Sequence, residues 1–309
     1  VLNQGFQWRL GLTATLEVSN LRLSVLRNYF GREPIYKYGY SRAIQEGVVS
    51  KFDALLVRVE MPSNQLNRYY ALSQYARQLR ERISRLANVD FEAEDIETRL
   101  NELKEKNICK GDIQTLESTM DELDDVLLAT ESKALAISRI CRLINGRGNT
   151  IVFSDSVARA EQTKTIFSER SVRSEIIKAS VPGYLRQSYL NQLKTRTIKA
   201  VISPKALDEG VNIECLSVGI FVGVRRHRLQ LVQRLGRVLR VERDKQRPII
   251  IIPVNKATWE DPYIEGNERL KFSPLHLIVG LADRVSVFDV TDERLIESYC
   301  DDRLNLNAA

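Results

Sequence analysis

The chain has 309 residues, which is enough to bury one large core or two smaller ones. Its 43% hydrophobic and 28% charged content is ordinary for a globular protein, and no apolar run approaches the roughly 20 residues of a membrane helix. A net charge of +6 hints weakly at a polyanionic partner, and the arginines crowd between residues 225 and 247.

In chain order, residues 8–15 (WRLGLTAT) read as a buried strand running into a small-residue turn. The chain opens in mid-pattern at Val1 without a Met, as a fragment, a processed chain or a renumbered one would. Residues 21–30 read as a short helix stopped by Gly31 and Pro34. Ser41 fits the cap of a helical turn that ends at Gly47, and residues 54–61 are strand-like. From 65 to 144 apolar residues recur at helical spacing without a proline, which predicts long amphipathic helices. In that stretch Tyr69, Tyr70 and Tyr75 read as core residues. Residues 145–149 read as a turn.

After that turn the pattern changes to alternation. Strands are predicted at 150–153, 198–202, 216–222 and 248–253, with helices at 157–167, 185–193 and 230–241. Continuous apolar strands separated by amphipathic helices imply an α/β fold, with a parallel sheet covered on both faces. A further strand (285–290) and helix (292–299) follow. The expected division is 1–62 ahead of a helical insertion at 63–145, then the sheet domain at 146–260 and an extension at 261–309. Cys109, Cys141, Cys215 and Cys300 lie far apart with no CxxC pair, as in a reducing compartment, so we expect a cytoplasmic protein. His227 and His276 stand alone, so no metal site is expected.

The segment with most chemical content is Gln233-Arg234-Leu235-Gly236-Arg237-Val238-Leu239-Arg240. On a helix Gln233, Arg237 and Arg240 share one face, and guanidiniums facing a cleft stabilise charge that spreads over transferring phosphate oxygens. An amphipathic surface helix with solvated arginines explains the same residues about equally well. Gly236 would let another backbone come close.

This segment does not stand alone. It resembles the sixth motif of superfamily 2 helicases, QRxGRxxR. Thr13-Ala14-Thr15 resembles motif III, Ile151-Val152-Phe153-Ser154 motif IV, and residues 203–212 (SPKALDEGVN) motif V, all in family order. Arg186, seven residues before Leu193, resembles the arginine of motif IVa. The wording is closest to the XPB-like branch, and the resemblance covers residues 7–30 and 149–253.

The resemblance implies a RecA-like second motor domain of an ATP-dependent DNA helicase or translocase, with residues 1–62 as the end of a first motor domain plus an interdomain linker. Arg237 and Arg240 would then be arginine fingers on the γ-phosphate of ATP, and Gln233 would position that phosphate or the attacking water. Asp208, Glu209 and Gly210 would couple the nucleotide site to the nucleic-acid groove, and Thr13 and Thr15 would link ATP state to domain closure. Ser154, Arg186, Ser203 and Lys205 would hold the phosphates of a DNA strand, with RNA left open. Asn212 stands where many members carry an acid near the ATP ribose, which implies a tuned site.

Neither a GxxxxGK[ST] phosphate loop nor a DExx strand ahead of Thr13 is present. Asp121-Glu122-Leu123-Asp124 has the letters of the latter but lies in a helical stretch, and reads as a charged helix face. ATP and Mg2+ are therefore expected to need a first motor domain, on the same or another chain, and this chain alone would be an incomplete enzyme. The rival reading is a non-catalytic RecA-like module that binds nucleic acid or protein. The helical middle reads either as a structural brace or as an element that engages a duplex through Arg77, Arg80, Arg82 and Arg85. No membrane partner is expected.

Overall fold

The computed structural model describes residues 10, 20–31, 36, 38–89, 91, 96–204, 216–223, 228–241, 247–261 and 274–305. Two compact units make up the chain: a helical unit (Val1–Gly39, Asn67–Asp125) and a sheet body (Tyr40–Leu66, Val126–Ala309).

The first elements are α1 (Asn20–Phe30), α2 (Tyr40–Gln45), β1 (Asp53–Val59) and α3 (Ser63–Ala87). They are followed by α4 (Ile96–Glu105), α5 (Lys110–Leu128), α6 (Ser132–Arg139) and α7 (Cys141–Arg147). Strands and helices then alternate through β2 (Thr150–Ser154), α8 (Val157–Glu169), β3 (Ser174–Ile176), α9 (Gly183–Lys194) and β4 (Ala200–Pro204). The chain continues with β5 (Val218–Phe221), α10 (Arg228–Val238), β6 (Ile249–Asn255), α11 (Pro274–Leu281), β7 (Arg284–Asp289) and α12 (Glu293–Asn305).

In the helical unit, the periodicity read from the sequence produces one small core. Ala76, Leu79 and Ile83 of α3 meet Leu100 and Leu103 of α4 and Ile113 and Leu116 of α5. Arg82 pairs with Asp112 at 3.1 Å and Lys104 with Glu117 at 2.5 Å, and Arg68 also pairs with Glu122. Of the three tyrosines expected in the core, Tyr69 is buried, whereas Tyr70 and Tyr75 are 49% and 47% exposed. The reason is rotational: each residue of a helix turns by about 100°, so neither can share the stripe that Ala76, Leu79 and Ile83 define. Asp121, Glu122, Leu123 and Asp124 all lie within α5, and Asp124 is buried.

Among the described residues the sheet body holds seven strands in the order β3-β4-β2-β5-β6-β1-β7. Every pairing is parallel. The inner strands are buried along nearly their whole length, while the edge strands β3 and β7 are only half-buried. That is the burial expected of a parallel sheet covered on both sides. One face packs on α6, α7, α8 and α12 through residues such as Ile137, Ile144, Phe167 and Ile296. The other packs on α2, α9, α10 and α11 through Ile44, Leu193, Leu235 and Ile278.

The sheet is wider than the span 146–260. β1 comes from residues read as linker and runs between β6 and β7, with Leu55 opposite Ile251 and Ser286. α6 and α7, from the span read as insertion, belong to the core of the sheet body. The expected turn at 145–149 is instead the end of α7, which continues to Arg147 before Gly148 and Asn149 turn the chain with φ of 67° and 44°.

Candidate nucleotide and nucleic-acid site

Chain order places a switch point at β2. The chain leaves β2 for β3 and β4 on one side, then crosses to β5 on the other. In open α/β sheets ligands bind outside the carboxyl ends of the strands at such a point.

Two of the expected phosphate-binding serines stand there. Ser154 ends β2, and Ser203 lies opposite Phe153 near the end of β4. Strand alternation sends them to opposite faces. Ser154 follows the parity of Val152, which packs on the α6–α8 side, and Ser203 that of Val201, which packs on the α9–α10 side. Ser154 is fully buried and its hydroxyl donates to the Ser156 carbonyl at 3.0 Å. Ser203 is 1% exposed, and its buried hydroxyl has no hydrogen-bond partner among the described residues. Arg186 stands on the first turns of α9, half-buried, and donates to the Val181 carbonyl at 3.3 Å.

α10 carries the arginine motif. Its apolar stripe of Leu231, Leu235, Val238 and Leu239 lies against the sheet, which fixes the direction of every other side chain on it. Arg234 comes out 8% exposed, with its guanidinium carbon 5.3 Å from the centre of the Phe153 ring. Phe153 in turn tilts against Phe221 at 5.0 Å. Arg237, three residues on, occupies the same flank and is half-buried. Gln233 is on this helix as well.

The helix ends at Val238, so Arg240 lies past it and not on the expected common face. It is exposed and forms an isolated antiparallel bridge with Val49, while the Leu239 carbonyl accepts from the Ser50 amide at 2.9 Å. The backbone beyond Val238 is thus engaged sideways and leaves the helical path. Gly236 makes its close approach to a side-chain tip and not to a backbone: a Cβ there would sit 2.8 Å from the Tyr40 hydroxyl.

The expected sites therefore fall in two places. Ser154 and Ser203 mark the carboxyl edge at the switch point. Arg237 and Arg240 mark the far end of α10, level with the start of β1, because Gly219 near the start of β5 packs on Val238. Thr13, Thr15, Lys205, Asp208, Glu209, Gly210, Asn212 and His227 lie outside the described residues. Sequence reasoning passed over Arg234, Tyr40 and Ser50. An arginine sharing a helix turn with buried Leu231 and Leu235 was the available signal for the first.

From Arg228 to Val241 the chain carries Arg228, Arg234, Arg237 and Arg240 and no acid, a donor set that suits an anion such as a nucleotide's terminal phosphate. Among the described residues no group of three or more His, Cys, Asp or Glu could hold a metal ion. No helix among them is long and apolar enough to cross a membrane.

Residues 133–242 match the family described as Helicase conserved C-terminal domain. A protein described as a helicase candidate of Sulfolobus islandicus filamentous virus (isolate Iceland/Hveragerdi) is 26% identical over 101 residues. That stretch is 33% of this chain and 18% of the viral protein's length. Among solved structures, the ATP-dependent Type ISP restriction-modification enzyme LlaBIII bound to DNA is 14% identical with a TM-score of 0.47, covering 91% of this chain and 18% of that one. The C-terminal domain of a Sulfolobus solfataricus SWI2/SNF2 ATPase is 12% identical with a TM-score of 0.41, covering 67% of this chain and 82% of that one. The stretch 133–242, which carries the parallel strands β2 to β5 and the arginine helix, is thus similar to helicase conserved C-terminal domains.

Proposed function

We propose that this chain supplies the second motor domain of an ATP-driven DNA helicase or translocase, of the XPB-like branch of its superfamily. The observation that carries the reading is α10. A helix without an acid, fixed by its apolar stripe, holds Arg237 half-buried on one flank and delivers Arg240 exposed at its exit.

ATP, bound by a first motor domain with its phosphate loop and Mg2+, would supply the phosphoryl group whose transfer drives the motor. Arg237 and Arg240 would place fixed positive charge where charge develops on the transferring group. Gln233 would orient that group or the attacking water. Asp208, Glu209, Gly210 and Asn212, with Thr13 and Thr15, would report nucleotide state to the rest of the motor. Arg186 and Lys205, with the backbone at Ser154 and Ser203, would bind the backbone of one strand at the carboxyl edge of β2 and β4, since the two serine side chains are buried and face opposite sides of the sheet. Phosphate contacts position a strand without reading its sequence, so little sequence preference is expected from this domain.

The test is Arg237→Ala in the full-length protein. ATP turnover with DNA should fall by about 10³-fold or more, the scale of an arginine finger, while ATP binding, read by equilibrium titration with a fluorescent ATP analogue, stays within about threefold of the wild type, well under 1 kcal/mol. Unchanged turnover would remove the finger role. Wild-type protein that binds DNA but never hydrolyses ATP would favour the binding module.

A further inference from the structure

We infer that residues 40–50 form a strap that sets the position of the arginine helix, with Tyr40 and Ser50 as positioning residues for Arg237 and Arg240. The inference rests on the finger reading above.

The strap touches α10 and its exit at three points. α2 packs Tyr40 and Ile44 at the margin of the core that α10 shares, and Ala43 is buried. At the first point the Tyr40 hydroxyl sits over Gly236, 2.8 Å from a Cβ built there, and it is the one contact within 4 Å given by the described residues outside the helix's own backbone. Burial pushes the Tyr40 phenol up to about 12, so this group has lost much of its water. The chain then reverses at Gly47, whose φ of 71° suits glycine, with the Val48 and Val49 amides both donating to the Ala43 carbonyl. That reversal brings Val49 antiparallel to Arg240, the second point. Ser50 makes the third, with its amide on the Leu239 carbonyl at 2.9 Å and its hydroxyl on the Arg240 carbonyl at 3.4 Å. Three residues later the chain enters β1, buried between β6 and β7, so the strap is anchored at its far end.

Glycine inside a helix is destabilising relative to alanine. Gly236 therefore needs a local reason, and the Tyr40 hydroxyl is the one within reach. The flank of α10 that carries Gly236 points away from Arg234, so the strap presses on the side away from that buried arginine. A shift of α10 by a fraction of its diameter would carry Arg237 with it, and misplacement of about 1 Å at a catalytic group can cost about 10²-fold in rate.

The experiment is a double-mutant cycle with Gly236→Ala and Tyr40→Phe in the full-length protein. Gly236→Ala alone should lower kcat for ATP hydrolysis by about 10- to 100-fold with KM for ATP unchanged. It should also speed hydrogen exchange at the Ser50 amide, while Tm does not fall because alanine favours the helix. In the Tyr40→Phe background the added methyl no longer meets the Tyr40 hydroxyl, so the same substitution should leave kcat and Ser50 exchange within about twofold of that background, under 0.5 kcal/mol. A kcat loss that persists in the Tyr40→Phe background, or Ser50 exchange that ignores Gly236→Ala, overturns the strap. If instead Arg237→Ala leaves turnover intact, the finger reading fails, while the exchange measurement still decides whether the strap holds α10.

Discussion

Cys141 and Cys300 show how burial acts on single side chains here. They lie on α7 and α12 in the core of one sheet face, and burial pushes their thiols from 9.0 up to about 12 and about 11 respectively. Because the folded values are raised, the protonated thiols contribute stability that is fully present below pH 9. That contribution is lost as pH rises through 11 and 12. The thiolate is the nucleophile, so at pH 8 iodoacetamide should label half-buried Cys109 well ahead of both. Peptide mass spectrometry with and without urea checks this, and rapid native labelling of Cys141 would mean its site opens readily. What the sequence reveals at this scale follows local chemistry. Arg237 and Arg240 stand out in the sequence because a short pattern of neighbours singles them out, and the role given to them is the proposal above. The Tyr40 contact with Gly236 was not, since it joins positions far apart in the chain and depends on how α2 docks. Arg234 lay between these cases, legible as a motif letter but not as a buried cation over Phe153.

Among the elements, strands with continuous apolar runs were readable, and the parallel, doubly covered sheet followed from them. β3 was not, because three half-buried edge residues carry no periodicity, and α11 is too short and apolar to show an amphipathic face. α10 ends earlier than its pattern suggests because Ser50 takes the Leu239 carbonyl. The joint between α6 and β6 was also silent in the sequence. There Lys133 and Glu260 pair at 2.9 Å with side chains 2% exposed each. Asn255 donates to both Glu260 (2.8 Å) and the Leu127 carbonyl (2.8 Å), tying the last turn of α5 to the end of β6. Removing one partner of a buried pair leaves an uncompensated charge and costs about 3–5 kcal/mol, whereas replacing both with apolar groups can be nearly neutral. Lys133→Met should therefore lower stability by about that amount, and Lys133→Met combined with Glu260→Leu should recover most of it. Urea midpoints at constant slope measure both, and equal losses in the single and double variants would show that Asn255 is what depends on Glu260.

For the whole molecule, the question is which residues make a foldable unit around the helicase match at 133–242. That stretch holds β2, β3, β4 and β5 but omits β1, β6 and β7. β5 would then become an edge, with Gly219 and Ile220 losing the partners Ile250 and Ile251 that cover them. A flat, apolar, unpaired edge invites pairing with other chains. β1 alone brings Leu55, Leu56, Val57 and Val59, each at most 1% exposed. At about 1.5–3 kcal/mol per fully buried side chain they stabilise the body by roughly 6–12 kcal/mol as an upper estimate. A domain's entire net stability is about 5–15 kcal/mol, so β1 is decisive even though it lies far upstream of the matched stretch. Residues 133–242 expressed alone should aggregate or melt without a cooperative transition, and residues 40–309 should unfold cooperatively in urea. Circular dichroism and sedimentation on the two fragments test this. A monomeric 133–242 with a sharp transition would mean that the α8–α10 layers suffice to close the core, and that β1 serves mainly to carry the chain from the strap into the sheet.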